Sequence, residues 1–215
     1  MTSGVGVAEP DMIAVPEGRF LMGEARKQTF VRLFHIERCP VSNREYQRFI
    51  EDAGVQPPPH WRNGAPPESR LDHPVVNVTF YEAQAYAEWA GKRLPLGWEW
   101  EKAARGEDGR LFAWGDAFDE SRCNTLEGGV DDTTSCGRYP DGASPYGVLD
   151  LCGNVWEWAL DKAPMLTTFR MLRGGSWFSP AQFARCESIN WLSPEYRQPD
   201  VGFRCVKSDY TPRLA

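Results

Sequence analysis

The sequence predicts an α+β fold, and three features carry that expectation. Short strand-like runs stand towards both ends of the chain, capped helices lie between them, and a long Gly-, Asp-, Ser- and Thr-rich stretch without helical period follows the helices. The first strand runs are Met12–Val15, Arg19–Met22 and Phe30–Ile36, broken by Pro-Glu-Gly and by a polar stretch. Ser42-Asn-Arg-Glu45 is a capping box that leads through Tyr46, Phe49 and Ile50 to a stop at Gly54. Thr79-Phe-Tyr-Glu82 opens a second helix through Ala83, Tyr86, Ala87 and Ala90, ending at Gly91. A third is expected from about Gly97 to Arg105, and the QPPPHWRNGAPPE between the first two is loop. After the irregular stretch from Gly106 to about Asp150, strands return at Val155–Leu160, Arg170–Arg173 and Val201–Val206. In the last, Val201, Phe203 and Cys205 alternate with Gly202, Arg204 and Val206, as in a half-buried strand. The expected organisation is a tail over residues 1–10, one domain over residues 11–207 and a second tail over residues 208–215.

Composition narrows the function classes. A chain of 215 residues can bury a sizeable core without staples. A net charge of −6 and a pI near 5.2 argue against nucleic acid or an anionic membrane surface as a non-specific partner. No apolar run is long enough to insert in a bilayer, and the first eighteen residues lack a basic and an apolar signal region. The expected address is therefore cytoplasmic or phage-associated. The 9 Trp among 20 Gly and 17 Pro indicate a loop-rich fold pinned by large rings. Few amides, much proline and an Arg-rich cation set suit a thermostable protein, and a GC-rich genome accounts for the arginines equally well.

Six cysteines, at positions 39, 123, 136, 152, 186 and 205, include no CxxC pair, and the three histidines His35, His60 and His73 have no ligand spacing. Buried free thiols are the default, with a disulfide or two left open.

Four phrases occur in order: Val15-Pro-Glu-Gly-Arg-Phe-Leu-Met-Gly23, Arg93-Leu-Pro-Leu-Gly-Trp-Glu-Trp-Glu-Lys-Ala-Ala-Arg-Gly106, Gly153-Asn-Val-Trp-Glu-Trp158, and Arg173-Gly-Gly-Ser-Trp177 closed by Gly202-Phe-Arg-Cys205. Together they resemble the formylglycine-generating-enzyme (sulfatase-modifying-factor) domain family over residues 11 to 207. The resemblance implies a variant of the C-type lectin fold. It also implies a superfamily holding copper-dependent formylglycine oxidases, iron-dependent sulfoxide synthases, and binding proteins such as the variable proteins of diversity-generating retroelements. The oxidases hold copper with two cysteines just after the Arg-Gly-Gly-Ser-aromatic phrase. Here those places fall at Ser179 and near Ala184, so Cys186 is the only thiol of the segment and cannot alone supply a bis-thiolate. The sulfoxide synthases need a His cluster and an added helical domain that this sequence does not present. The expectation is thus a protein that is not an enzyme and has no catalytic cofactor; the alternative is a metal-dependent oxidoreductase of either type.

The resemblance also implies structural Ca²⁺. Asp150, Gly153, Val155 and Glu157 match one calcium set of the family; Asn124, Thr125, Asp132 and Thr134 match a second, with hard oxygen donors in both. The same residues also read without any ion, Asp150 as a turn cap and Glu157 as the partner of an arginine.

The stretch from residue 177 to 204 is the expected ligand-binding segment, resembling the variable segment of a retroelement protein carried by a prophage. Trp177, Arg185, Pro194, Arg197 and Gly202-Phe-Arg punctuate it. Between them stand Phe178, Ser179, Gln182, Phe183, Glu187, Ser188, Ile189, Asn190, Leu192 and Ser193, mixing rings and aliphatic groups with small polar ones as binding surfaces do. Asn codons of the AAY type become Phe, Ser, Ile or Leu when only adenines are replaced, which is the retroelement pattern. Trp177, Trp191 and Tyr196 are expected to form the floor, and the ligand is an unknown protein or surface group. The same apolar residues would instead be core in an ordinary member of the family.

Overall fold

The computed structural model describes residues 11–164 and 168–210, so most of the two expected tails (residues 1–10 and 211–215) lies outside the described residues. Twelve elements follow in order among them: β1 (Met12–Val15), β2 (Gly18–Met22), β3 (Lys27–Val31), β4 (Phe34–Glu37), α1 (Asn43–Ala53), α2 (Phe80–Trp89), α3 (Gly97–Arg105), β5 (Trp156–Lys162), β6 (Arg170–Arg173), β7 (Ile189–Leu192), β8 (Val201–Gly202) and β9 (Val206–Lys207). The architecture is α+β. Three small sheets hold the strands in the orders β1-β4-β9, β2-β3 and β7-β6-β5-β8, all antiparallel except β5 with β8.

Both anticipated capping boxes form. Ser42 and Thr79 accept from the amides of Glu45 and Glu82, whose carboxylates accept from the Ser42 and Thr79 amides in return. Gly54 ends α1 in the left-handed region, where a side chain would be strained. Residues 106–150 contain single helical turns but no strand of either kind among the described elements. No described helix is long and apolar enough to cross a membrane.

Three strand expectations and one of the expected tails need correction. The run Phe30–Ile36 divides between β3 and β4 at Arg32–Leu33, because the chain leaves one sheet there and joins another. The run Val201–Val206 divides between β8 and β9 for the same reason, and it is buried throughout rather than on alternate residues, Arg204 included. β7 was not expected; it is short and polar at Asn190, and it exists because it pairs with β6 in the register Arg173↔Ile189 and Met171↔Trp191. Finally, Tyr210 docks rather than trailing in a tail: its hydroxyl donates to Glu99, whose carboxylate also pairs with Arg93.

Of the six thiols, Cys39 and Cys136 form a disulfide, and Cys123, Cys152, Cys186 and Cys205 are free and buried.

Two apolar clusters make the core. One joins β1–β4, α3, residues 148–152 and Cys186; the other joins α1, α2, β5, β6 and residues 201–205. A buried ion pair lies where they meet. The Glu157 carboxylate accepts from Arg204 at 2.7 and 2.8 Å and from the Trp100 indole at 2.7 Å. The remaining Arg204 protons go to the carbonyls of Glu37, Arg38, Leu149 and Asp150. Removing one partner leaves a buried charge unpaired, which costs about 3–5 kcal/mol. Arg204→Met should lower urea-unfolding stability by about that amount. Adding Glu157→Leu should recover part of it; a double variant as unstable as the sum of the singles would contradict the pairing.

Candidate functional site

The segment expected to bind ligand leaves β6 through Gly174-Gly175, and both glycines are required. Their φ angles are 97° and 73°. A Cβ at Gly174 would stand 2.9 Å from the Trp100 ring, and one at Gly175 would stand 2.9 Å from the Phe183 carbonyl. Ser176 then closes a polar turn, its hydroxyl donating to Asp200 at 2.8 Å and meeting the Ser179 hydroxyl at 3.0 Å. A single helical turn follows at Ala181–Ala184, and β7 returns along β6 at the edge of its sheet.

Three buried side chains beneath the segment set its path. Glu101 in α3 accepts from Arg105 at 2.7 Å and from Arg173 at 2.8 Å, and it also accepts from the Gly23 amide in the β2–β3 turn. The Arg173 Nη groups also donate to the carbonyls of Cys186, Glu187 and Ser188, while its Nε is buried without a partner. Arg105 reaches the carbonyls of Leu21, Gly23, Gly109 and Arg110 and, at 3.4 Å, the Glu187 carboxylate. The helix, the β2–β3 turn and the segment are therefore tied at one point.

Above this point opens a cavity of about 580 Å³, lined by Gly23, Glu24, Arg26, Arg105, Leu111, Gln182, Arg185, Glu187, Ser188 and Ile189. That volume is typical of a small-molecule site. Arg26 and Arg185 are exposed on its wall, and neither forms an ion pair with a described residue. The cavity thus offers guanidinium donors beside aliphatic surface.

Of the segment residues named from sequence, the structure brings Gln182, Glu187, Ser188 and Ile189 together on the cavity wall. Phe178, Phe183 and Ile189 are 64%, 47% and 46% exposed, so they are surface residues and not core. Asn190 is exposed, while Trp177, Trp191 and Ser193 are half-buried. Three positions differ from expectation. Ser179 is buried in the Ser176 turn, Leu192 packs against the second core cluster, and Tyr196 is 60% exposed and so forms no floor. The residues the sequence did not single out, Glu24, Arg26, Arg105 and Leu111, come from other elements. The polar Glu24–Arg26 between two strand runs was their one local signal.

The two calcium sets are placed as follows. In the first, both Glu157 oxygens are committed to Arg204 and Trp100, and Asp150 accepts from Asn154 at 3.3 Å. Burial pushes the Asp150 carboxyl up to about 6 against the opposing pull of Arg204. In the second, Asp132 pairs with Arg70, whereas Asn124 Oδ1 is buried without a hydrogen-bond partner and keeps one donor for a cation. Among the described residues, no group of three or more His, Cys, Asp or Glu could hold a metal ion. Ala184, at the second copper-cysteine place of the resemblance, is fully buried.

The model of the sulfatase-modifying factor enzyme 1-like domain matches residues 3–209. The chain belongs to that family. The inactive C-alpha-formylglycine-generating enzyme 2 of Mus musculus is 31% identical, covering 95% of this chain and 88% of that one. The hercynine oxygenase of Mycolicibacterium smegmatis is 35% identical over 80% of this chain, which spans only 52% of that protein. The Treponema denticola variable protein 1 superposes with a TM-score of 0.76 at 20% identity, covering 91% and 94% of the two chains. At that identity it shows a shared fold, and the C-type lectin fold of the formylglycine-generating-enzyme type is the fold of this chain. The expectation that the chain is not an enzyme is overturned by the hercynine oxygenase relatives. The missing cysteine pair argued against one copper chemistry only, and that argument does not extend to catalysis in general.

If the segment presents its side chains outward, replacing Phe178, Phe183 and Ile189 together by Asn should change the melting temperature by less than about 3 °C. Leu192→Asn alone should lower it by about 4 °C or more, since that side chain packs on the core. Thermal scanning of the two variants decides it, and a collapse of the triple variant would return these residues to the core.

Proposed function

We propose that the cavity and the adjoining segment recognise an organic ligand that joins an anionic group to an apolar body. The observation that carries this reading is the pairing of two exposed guanidinium groups, Arg26 and Arg185, which form no ion pair with a described residue, with a cavity whose rim carries exposed Ile189, in a segment that also exposes Phe178 and Phe183. Guanidinium groups bind carboxylate, sulfonate or phosphate through paired hydrogen bonds, and exposed rings supply area at low entropic cost. The exposed positions alternate with fixed ones such as Gly175, Ser176 and Leu192. Their side chains can therefore change without disturbing the fold, which is the property a diversified binding surface needs.

A second reading makes the bound molecule a substrate, and the hercynine oxygenase relatives favour it. Among the described residues no group of three or more His, Cys, Asp or Glu could hold a metal ion, so no oxidative step is derived from them. Oxygen uptake by the protein supplied with Fe²⁺ or Cu⁺ and a thiol, in excess of that by the same metal and thiol without protein, is the measurement that would establish this reading.

Anilinonaphthalene sulfonate is a suitable probe because it joins a sulfonate to fused rings. Its fluorescence should titrate to saturation on the folded protein. In Arg26→Ala/Arg185→Ala the affinity should fall about tenfold or more, the loss expected when hydrogen bonds to a charged group are removed. Unchanged affinity in that variant would remove the arginines from the site.

A further inference from the structure

Two of the buried free thiols, Cys152 and Cys186, are held by the same short segment of chain. Cys152 lies in the turn before β5 and Cys186 lies just before the cavity-lining residues Glu187–Ile189, 34 positions later in sequence. Both belong to one apolar cluster and are almost wholly shielded from solvent. The short segment Leu111–Ala113 is bonded to both: the Ala113 amide donates to Cys152 Sγ at 3.3 Å, and the Cys186 amide donates to the Leu111 carbonyl at 2.8 Å. Burial holds the Cys152 thiol well above the usual range, and the neighbouring Cys186 adds to that shift. The loop that carries Cys152 is joined to the start of the binding segment by one more bond, Gly153 amide to Gly174 carbonyl at 2.7 Å. Elsewhere the chain already holds a closed disulfide, Cys39–Cys136, whose Cα atoms are 5.9 Å apart. Bonds of that kind persist where folding takes place under oxidising conditions.

We infer that Cys152 and Cys186 close a second disulfide when the chain folds under oxidising conditions, cross-linking the binding segment to the scaffold. The oxidant is a low-molecular-weight disulfide. One cysteine attacks it to give a mixed disulfide and release one thiol; the other cysteine then displaces the second thiol. Two protons and two electrons leave the cysteines, one S–S bond forms in the protein, and one breaks in the oxidant. Because the thiols are shielded in the finished fold, closure belongs to the folding chain, and the folded dithiol resists the same reagent. The consequence for binding rests on the ligand site proposed above. The cross-link ends at Cys186, the residue whose carbonyl Arg173 holds, and so stiffens the cavity wall from below.

The test is to refold the protein in a glutathione redox buffer and, separately, in dithiothreitol followed by removal of the reductant. Free thiols are then counted under denaturing conditions, and disulfide-linked peptides are mapped by mass spectrometry. The glutathione product should show a Cys152–Cys186 linked peptide and only Cys123 and Cys205 as free thiols. It should also melt about 5–15 °C above Cys152→Ser refolded in the same way. Alkylation of both Cys152 and Cys186 in the glutathione product would overturn the inference, as would a link from Cys186 to Cys123. Anilinonaphthalene sulfonate titration of both products separates the two proposals. Failure to bind in either form removes the ligand site and leaves the disulfide map to stand on its own result.

Discussion

One buried carboxylate organises the functional end of this molecule. Glu101 is shared between Arg105 and Arg173, and those two arginines distribute seven further hydrogen bonds to carbonyls in the β2–β3 turn, the loop after α3, and residues 186–188. A cluster of charges this deep is stable only when every charge is paired and most donors are used. Burial pulls the Arg173 guanidinium down and Glu101 opposes it, so neither residue tolerates loss of the other. The polar backbone of an irregular segment, which has no sheet or helix to satisfy it, finds its partners here.

The second buried pair, Glu157 with Arg204, plays the corresponding part for the scaffold. It closes the seam between two apolar clusters and gathers carbonyls from the end of β4 and from the last residues of the long irregular stretch. Rigid scaffold and adaptable surface are thereby separated. The side chains of Ser176, Leu192 and Arg173 turn inward and carry the fold, while those of Phe178, Phe183 and Ile189 are exposed to solvent. Its relatives include both an enzyme described as inactive and oxygenases, so one scaffold serves different ends.

Much of the fold was legible in the sequence because its signals are local. Ser42 and Thr79 announce two helices by the carboxylates three positions later, and Arg-Gly-Gly-Ser-Trp announces a tight, closely packed turn. The split of the Phe30–Ile36 run and the existence of β7 were not legible, since both depend on which sheet edge is available. Burial of Arg204 was hidden for a related reason: alternation reports one face against solvent, and this strand pair meets the core on both. At the site, the exposed apolar residues were readable as a mixture unlike a core stripe. Ser179 and Leu192 share that composition and differ only in which way the backbone turns them. Arg26 was marked only by the polar stretch between two strand runs and Leu111 by nothing local, and Cys152 and Cys186 join one cluster only through tertiary folding.

The central claim is that the Glu101–Arg173 pair holds the binding segment in place. It is tested most directly by amide hydrogen exchange on Arg173→Met compared with the parent protein. The account predicts that protection falls selectively at residues 186–190 and at the Gly23 turn, while α1 and α2 exchange as before. Uniform loss across all elements, or unchanged protection at 186–190, would contradict it.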